Sequence, residues 1–403
     1  MRLKGKQLEA LKERYGVDRL WSWSKWNSFH NSPYEYYLKY IAHVKEDRAD
    51  AIYTTTGGIA HDILEQFYTD QIKYEDMEDA FQDGWVTAFD ITGLKFDRND
   101  EEKNKKIADK YYYNLSHFFA SHTKMPNKPM IEQFVCALIN GYLFQGYIDA
   151  FFKDDAGNYT IVDFKTSSIY KGAKAENECG QLIVYAIALN QRGVPLDKIK
   201  ICWNFLKYVS IQYCQANGQV KTREVERCKI GESLQSNAKM WLKKLGYVDQ
   251  LDDYLKQLQD TNTIACLPED VQAKYVISDC YVYVDVTDEL IDTWTKRITA
   301  AIKDIENREK EYELAKANGA DELECSKAFW DTPESVEANS FYFATLCSYS
   351  PTLHLPYKEY LDKMEAEKDP GNVFGGVAGA DYTVKKGKNQ SDDGLDLSWL
   401  NEL

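Results

Sequence analysis

No two of the nine cysteines form a CxxC pair, and the nine are an odd number spread over 403 residues. That spacing argues against a disulfide framework and suits reduced thiols. No stretch approaches eighteen consecutive apolar residues, so a membrane-spanning helix is not expected. The start, Met1-Arg2-Leu3-Lys4-Gly5-Lys6, is charged and no apolar run follows it, so a secretory signal is not expected either. These absences point to a cytoplasmic protein with no membrane partner. A GxxxxGK[ST] loop is missing, so neither ATP as a cofactor nor an attached ATP-driven helicase is expected in this polypeptide. Positive charge is in deficit: 49 Lys and Arg against 64 Asp and Glu leave a net charge of −15. This excludes a uniformly basic coat for nucleic acid. It does not exclude an enzyme that meets phosphate in a local basic groove beside bound cations. The chain shows no internal repeat and no long low-complexity tract.

Apolar residues are abundant, at 44%, and aromatics reach 14%, which is ample for a large core. Residues 21–45 read as two short helices, one capped by Ser24 and bearing Trp26 and Phe29, the next opened by Pro33. Helical periodicity continues over 57–72, where Ile59, Ile63, Leu64 and Phe67 share a face, and over 76–94 and 102–123. Pro126 and Pro129 end that run. The pattern then changes to strands at Phe144–Phe152 and Tyr159–Lys165, joined by the turn residues Asp154-Asp155-Ala156-Gly157-Asn158. An apolar helix follows at Cys179–Asn190, a strand at Lys198–Val209, and an edge hairpin around Asn217-Gly218. A long polar helix over 231–260, a strand at Tyr275–Val286 and a charged helix over 288–316 complete the regular elements. Strands gathered in the middle, with helices before and after, predict an α/β core wearing large helical additions. The expected divisions are an N-terminal helical segment 1–56, a core 57–230, a helical region 231–362 packed on it, and a flexible acidic tail 363–403.

The richest chemistry lies between residues 141 and 185. Gly146-Tyr147-Ile148-Asp149 precedes Ile161-Val162-Asp163-Phe164-Lys165, and Gln181-x-x-x-Tyr185 follows. Two carboxylates and a lysine at the ends of short strands suit a divalent metal beside a scissile phosphate. Hard Mg²⁺ prefers carboxylate and carbonyl oxygen, so Asp149 and Asp163 can anchor it, with the Phe164 carbonyl a further ligand. Lys165, two positions after Asp163, lies on the same strand face, about 6–7 Å away at Cα. There it can touch the attacking water or the phosphate.

The order Asp…Asp-x-Lys resembles the PD-(D/E)XK nuclease superfamily. Gly57-x-x-x-His61-x-x-x-Glu65 is similar to the GxxxHxxxE element of RecB-type nucleases, and Gln181-x-x-x-Tyr185 to their QxxxY element. Ser22-x-Ser24, Phe29 and Ser32-Pro33-x-x-Tyr36 resemble their N-terminal signature. The chain thus looks like a phage-type or CRISPR-associated RecB-family exonuclease over about residues 20–210, and more weakly over 340–361. The resemblance implies a restriction-endonuclease-like central mixed β-sheet flanked by helices. It implies a Mg²⁺- or Mn²⁺-dependent deoxyribonuclease acting in recombination, replication or defence, in the host cytoplasm if phage-encoded. Its partner would be DNA, as single- or double-stranded ends. His61, Asp149, Asp163 and Phe164 would hold metal and Lys165 would position water or phosphate. Gln181 and Tyr185 would support the lysine or the DNA backbone, and Glu65 would orient His61 or a metal-bound water. The competing reading is a nuclease-fold protein that binds DNA ends or a partner without cutting.

Many relatives carry a four-cysteine iron–sulfur cluster. Here Ser32, Phe343 and Leu355 stand where cysteines would be expected and only Cys347 remains; a site recruited from Cys325 and Cys347 is the alternative. No iron–sulfur cluster is expected, and packing should clasp the two ends of the chain instead. Trp21, Trp23, Trp26 and Phe29 read as core rather than as a base-stacking platform. Lys103, Lys105, Lys106, Lys110, Lys124 and Lys128 are the candidate basic wall, with a solvated helix face as the alternative. The tail peptide Ser391–Leu400 suits docking onto a recombination, single-strand-binding or clamp protein, or folding back on its own domain.

Overall fold

The computed structural model describes residues 3–48, 52–91, 93, 101–125 and 127–368. Helix α1 (Lys6–Tyr15) ends at Gly16, whose φ of 64° supplies the left-handed cap. Strand β1 (Leu20–Trp21) leads into α2 (Trp23–Asn31) and α3 (Pro33–Tyr40). Serines open both helices: Ser22 Oγ accepts from the Lys25 amide and Ser32 Oγ from the Glu35 amide. The cap expected at Ser24 is therefore at Ser22, because the helix begins two residues earlier and Ser24 already lies inside it.

Helix α4 (Ile52–Tyr68) begins before the expected residue 57 and stops before 72, with Asp70 at φ 61° turning the chain. The helix expected over 76–94 is α5 (Met77–Trp85), with a 3₁₀ turn before it and a π turn, Val86–Ile91, after it. Helix α6 (Glu101–Ser121) follows, then β2 (Met130–Ile139), β3 (Tyr142–Lys153) and β4 (Tyr159–Lys165). The sequence does not mark β2 as a strand. Its run Cys136-Ala137-Leu138-Ile139 does not alternate, and pairing with β3 from Met130↔Phe151 to Ile139↔Tyr142 is what makes it a strand. The β3–β4 turn is the expected one: Asp154 Oδ1 accepts from the Asn158 amide at 2.8 Å and Gly157 takes a φ of 83°.

Beyond it come α7 (Ala173–Glu178), α8 (Gly180–Asn190), β5 (Ile199–Cys214) and the edge strand β6 (Val220–Glu226). The single polar helix expected over 231–260 is two, α9 (Ile230–Lys244) and α10 (Leu251–Thr261), parted near Gly246 at φ 93°. Their inner faces are apolar, since Leu234, Ala238, Trp241, Leu242 and Leu258 close a core over Val209 and Ile211 of β5. The short α11 (Glu269–Gln272), β7 (Tyr275–Val284) and α12 (Asp288–Ala317) follow. Short α13 (Glu322–Ser326) and α14 (Pro333–Ala338) then precede α15 (Leu355–Lys368). Helix α15 thus covers 363–368 of the segment expected as tail; the rest of that tail and its docking peptide lie outside the described residues.

Among the described residues, seven strands form one mixed sheet. Parallel pairing joins β4 to β5 and β1 to β3, and the other pairs are antiparallel. Helices α2, α3, α8 and α12 bury one face and α4 to α6 the other. This is the expected α/β, restriction-endonuclease-like sheet with large helical additions. The expected segments 1–56, 57–230 and 231–362 share one core: Trp21, Tyr36, Ile161, Leu182, Trp294, Phe329 and Tyr349 belong to the same cluster. Among the described residues no helix is long and apolar enough to cross a membrane.

The N- and C-terminal parts clasp each other around polar groups. Arg19 grips Glu309 with two bonds of 2.8 and 2.9 Å, and Arg48 Nη1 donates to the Phe343 carbonyl at 2.6 Å. Ser32 Oγ donates to Asp331 at 2.6 Å and meets His354 Nε2 at 2.9 Å. Phe343 is fully buried and stacks on Tyr357, and Cys347 is buried beside them. Trp21, Trp26 and Phe29 are core, and Trp23 stacks on Trp26 at 4.6 Å.

Burial pushes Asp331 up to about 7 and His354 down to about 3. A raised carboxylate favours the fold in its protonated form, so its contribution is complete below the unfolded value near 4 and is lost as pH rises through about 7. His354, held neutral in the fold, contributes the opposite slope up to its unfolded value near 6.5, so the two offset below that pH and the urea midpoint should fall only between about pH 6.5 and 7.5, where Asp331 acts alone. Asp331→Asn should flatten that fall; an equal fall in the variant would show that Asp331 does not carry it.

Candidate active site

Strands β3 and β4 pair only as far as Ala150↔Val162 and then part. In the gap the Phe164 amide, with no β3 carbonyl to meet, donates instead to Asp149 Oδ2 at 3.0 Å. Helix α4 lies across this gap because Ala60, Ile63 and Leu64 pack against Ala150, Val162 and Phe164. That docking presents His61, whose Nε2 donates to the Phe164 carbonyl at 3.0 Å and whose Nδ1 lies 3.6 Å from Asp149 Oδ2. Gly57, one turn earlier, lies beside Thr166, where an added Cβ would meet the hydroxyl at an ordinary 3.8 Å.

On the other face of β4, Asp163 and Lys165 form an ion pair at 2.7 Å. Asp163 is buried, whereas the Lys165 side chain keeps 29% exposure. Burial opposes the lysine's charge, but Asp163 and the nearby Tyr170 and Asp149 override it and hold Lys165 above the usual ammonium range. Asp149 is pushed up to about 6, first by burial and then by the Asp163 carboxylate. One buried and one largely buried carboxylate thus share one ammonium, an electrostatic shortfall that a divalent cation would meet.

Helix α8 brings Gln181 and Tyr185 over β3. Gln181 Nε2 donates to the Tyr185 hydroxyl at 2.9 Å, and that hydroxyl donates to the Tyr147 carbonyl at 2.8 Å. Gly146 makes this approach possible: a Cβ there would lie 2.8 Å from the Tyr185 ring. Burial raises the Tyr185 hydroxyl well above its usual range, so it serves as a fixed neutral donor.

The structure therefore gathers His61, Asp149, Asp163, Phe164 and Lys165 around the parting of β3 and β4, with Gln181 and Tyr185 behind. Glu65 is not gathered. It is exposed on α4, and among the described residues its carboxylate makes no hydrogen bond or ion pair. Thr166, Tyr170 and the Tyr147 carbonyl belong to the surroundings and were not singled out from sequence, since nothing in a lone Thr, Tyr or carbonyl signals such a place.

The donor set fits a hard cation in kind: a neutral imidazole, two carboxylates and a carbonyl oxygen. To ligate through Nε2, His61 would first have to give up the hydrogen bond it donates to the Phe164 carbonyl. Among the described residues, however, no three His, Cys, Asp or Glu groups stand together in metal-holding geometry. Asp163 is turned to Lys165 instead of toward His61.

The expected basic wall is largely spoken for. Lys106 pairs with Glu102, Lys110 with Glu226 and Lys128 with Asp70, and Lys124 lies over the Tyr74 ring.

A family model described as the PD-(D/E)XK nuclease superfamily matches residues 20–319. No curated protein matches the chain.

Tyr185→Phe should cost about 1–3 kcal/mol in urea unfolding, because it leaves the Tyr147 carbonyl and Gln181 without their partner. Gly146→Ala should cost a similar amount by forcing the ring away. Wild-type stability in both variants would mean the contact bears no load.

Proposed function

We propose, from the premise that the chain belongs to the PD-(D/E)XK nuclease superfamily, that it is a metal-dependent deoxyribonuclease, an exonuclease of RecB-like type. The superfamily consists of generally hydrolytic nucleases that typically use divalent metals, and a nuclease fold implies nucleic acid as partner. The observation that carries the reading is the meeting of His61, Asp149 and the Phe164 carbonyl on one side of β4 with Asp163 and Lys165 on the other. The RecB-like subtype is supported by the GxxxH helix placing its histidine on that carbonyl and by the QxxxY helix reaching the Tyr147 carbonyl.

His61, Asp149, Asp163 and the Phe164 carbonyl would hold Mg²⁺ or Mn²⁺, which when bound would polarise the scissile phosphate and lower the pKa of a water. The remaining chemistry falls to the chain itself. Lys165 is a fixed cation, held charged by Asp163 and still exposed enough to donate to a phosphate oxygen or to the attacking water. The Tyr185–Gln181 pair fixes the β3 backbone two residues before Asp149 and so steadies the carboxylate's position. Glu65 is proposed only as a group that reorients toward His61 when the site is loaded. DNA ends are the proposed substrate, in recombination, replication or defence, within a cytoplasm.

Lys165→Ala should reduce cleavage of end-labelled linear DNA in Mn²⁺ by at least about a hundredfold under conditions where circular dichroism shows the variant still folded. Cleavage at the wild-type rate would remove Lys165 from the reaction. Wild-type protein that cuts neither single- nor double-stranded DNA in Mg²⁺ or Mn²⁺ would favour the non-cleaving, DNA-end- or partner-binding reading instead.

A further inference from the structure

Strands β4 and β6 share one flank of β5, because β7 takes the other along both Ile201–Asn204 and Val209–Tyr213. β4 runs parallel to β5 and ends at Lys165↔Phe205; β6 runs antiparallel and ends at Tyr208↔Glu226. Their C-terminal ends therefore point at each other across Leu206 and Lys207, leaving a notch in the strand pairing of that flank, where the buried Arg227 Nε donates to the Leu206 carbonyl at 2.7 Å. The three-residue step from Phe205 to Tyr208 spans about 10 Å at most, the reach of a few nucleotides.

The notch holds three lysines and one carboxylate. Lys110 Nζ from α6 meets Glu226 Oε1 at 2.6 Å, and Lys229 Nζ approaches Glu226 Oε2 at 3.5 Å. Lys207 is 2% exposed and has its Nζ 3.5 Å above the Tyr111 ring. Among the described residues it makes no ion pair. Burial, with Lys110 adding, pushes Lys207 down to about 7. A lysine placed in a strand interior without its own acid is costly to the fold, and the adjacent carboxylate is already shared by two others. An anion entering the notch would relieve both.

We propose that this notch is a phosphate subsite for the nucleic-acid strand, in which Lys110, Lys207 and Lys229 take one backbone phosphate and Glu226 holds their place until it arrives. The inference rests on the nuclease reading only in taking nucleic acid as the ligand. It accounts for how a chain of net charge −15 engages a polyanion: the cations near the site are kept under carboxylate cover, which an incoming phosphate displaces.

The test is fluorescence anisotropy of a labelled oligonucleotide with the full chain in EDTA, across a salt series. Glu226→Gln should bind at least about threefold more tightly, a gain that an unfolded protein cannot give. Lys207→Met and Lys229→Ala should each bind at least about threefold more weakly and lower the log–log salt slope by part of the roughly 0.7–0.9 expected for the one phosphate contact that the three lysines make together. Unchanged affinity and slope in all three variants, or weaker binding by Glu226→Gln, would overturn the subsite and leave a purely structural ion-pair network. Absence of any binding by the wild-type chain would overturn it as well. Should the variants behave as expected while no metal supports cleavage, the subsite stands and the nuclease reading falls. Wild-type cleavage with indifferent variants would mean the reverse.

Discussion

The parting of β3 from β4 is the constraint on which the rest of the molecule depends. Once the ladder ends at Ala150↔Val162, backbone groups at Phe164 must find other partners. The Asp149 carboxylate takes the amide and the His61 ring takes the carbonyl. A local defect in a sheet thereby becomes a polar cluster at the edge of two cores. The helices on either face serve it: α4 carries the imidazole, and α8 carries the Tyr185 hydroxyl that pins β3 from behind.

Electrostatics sets the cluster apart from an ordinary packing contact. Asp149 and Asp163 are both largely buried, and Lys165 is the one ammonium in ion-pair contact with either of them among the described residues. Burying carboxylates in excess of cations costs stability, and folds retain such arrangements where a ligand supplies the missing charge. The notch at Lys207 is the mirror image, with cations in excess of carboxylates. The two imbalances lie at facing strand ends on β5, so a strand of nucleic acid and a divalent cation would together neutralise what each leaves uncompensated.

Much of this was legible in the sequence. Tyr159–Lys165, the Asp154–Asn158 turn and the order His61, Asp149, Asp163, Lys165, Gln181, Tyr185 are local signals, carried by alternation, turn chemistry and i, i+4 spacing. What was hidden is tertiary. Nothing in Met130–Ile139 marks it as a strand until β3 pairs with it. The break between α9 and α10 rests on one glycine, and their apolar faces are diluted by lysines that stay in solvent. Asp163 pairing with Lys165, and Glu65 standing apart, depend on side-chain directions that spacing does not fix. Lys207 gave one readable hint, a lysine inside the apolar run Phe205–Val209.

Metal uptake bears most directly on the central claim. Calorimetric titration of the full chain with Mn²⁺ should show saturable binding that is lost in Asp149→Asn and weakened at least about tenfold in His61→Ala. Uptake unaffected by Asp149→Asn, or no uptake by the wild-type chain, would contradict the account.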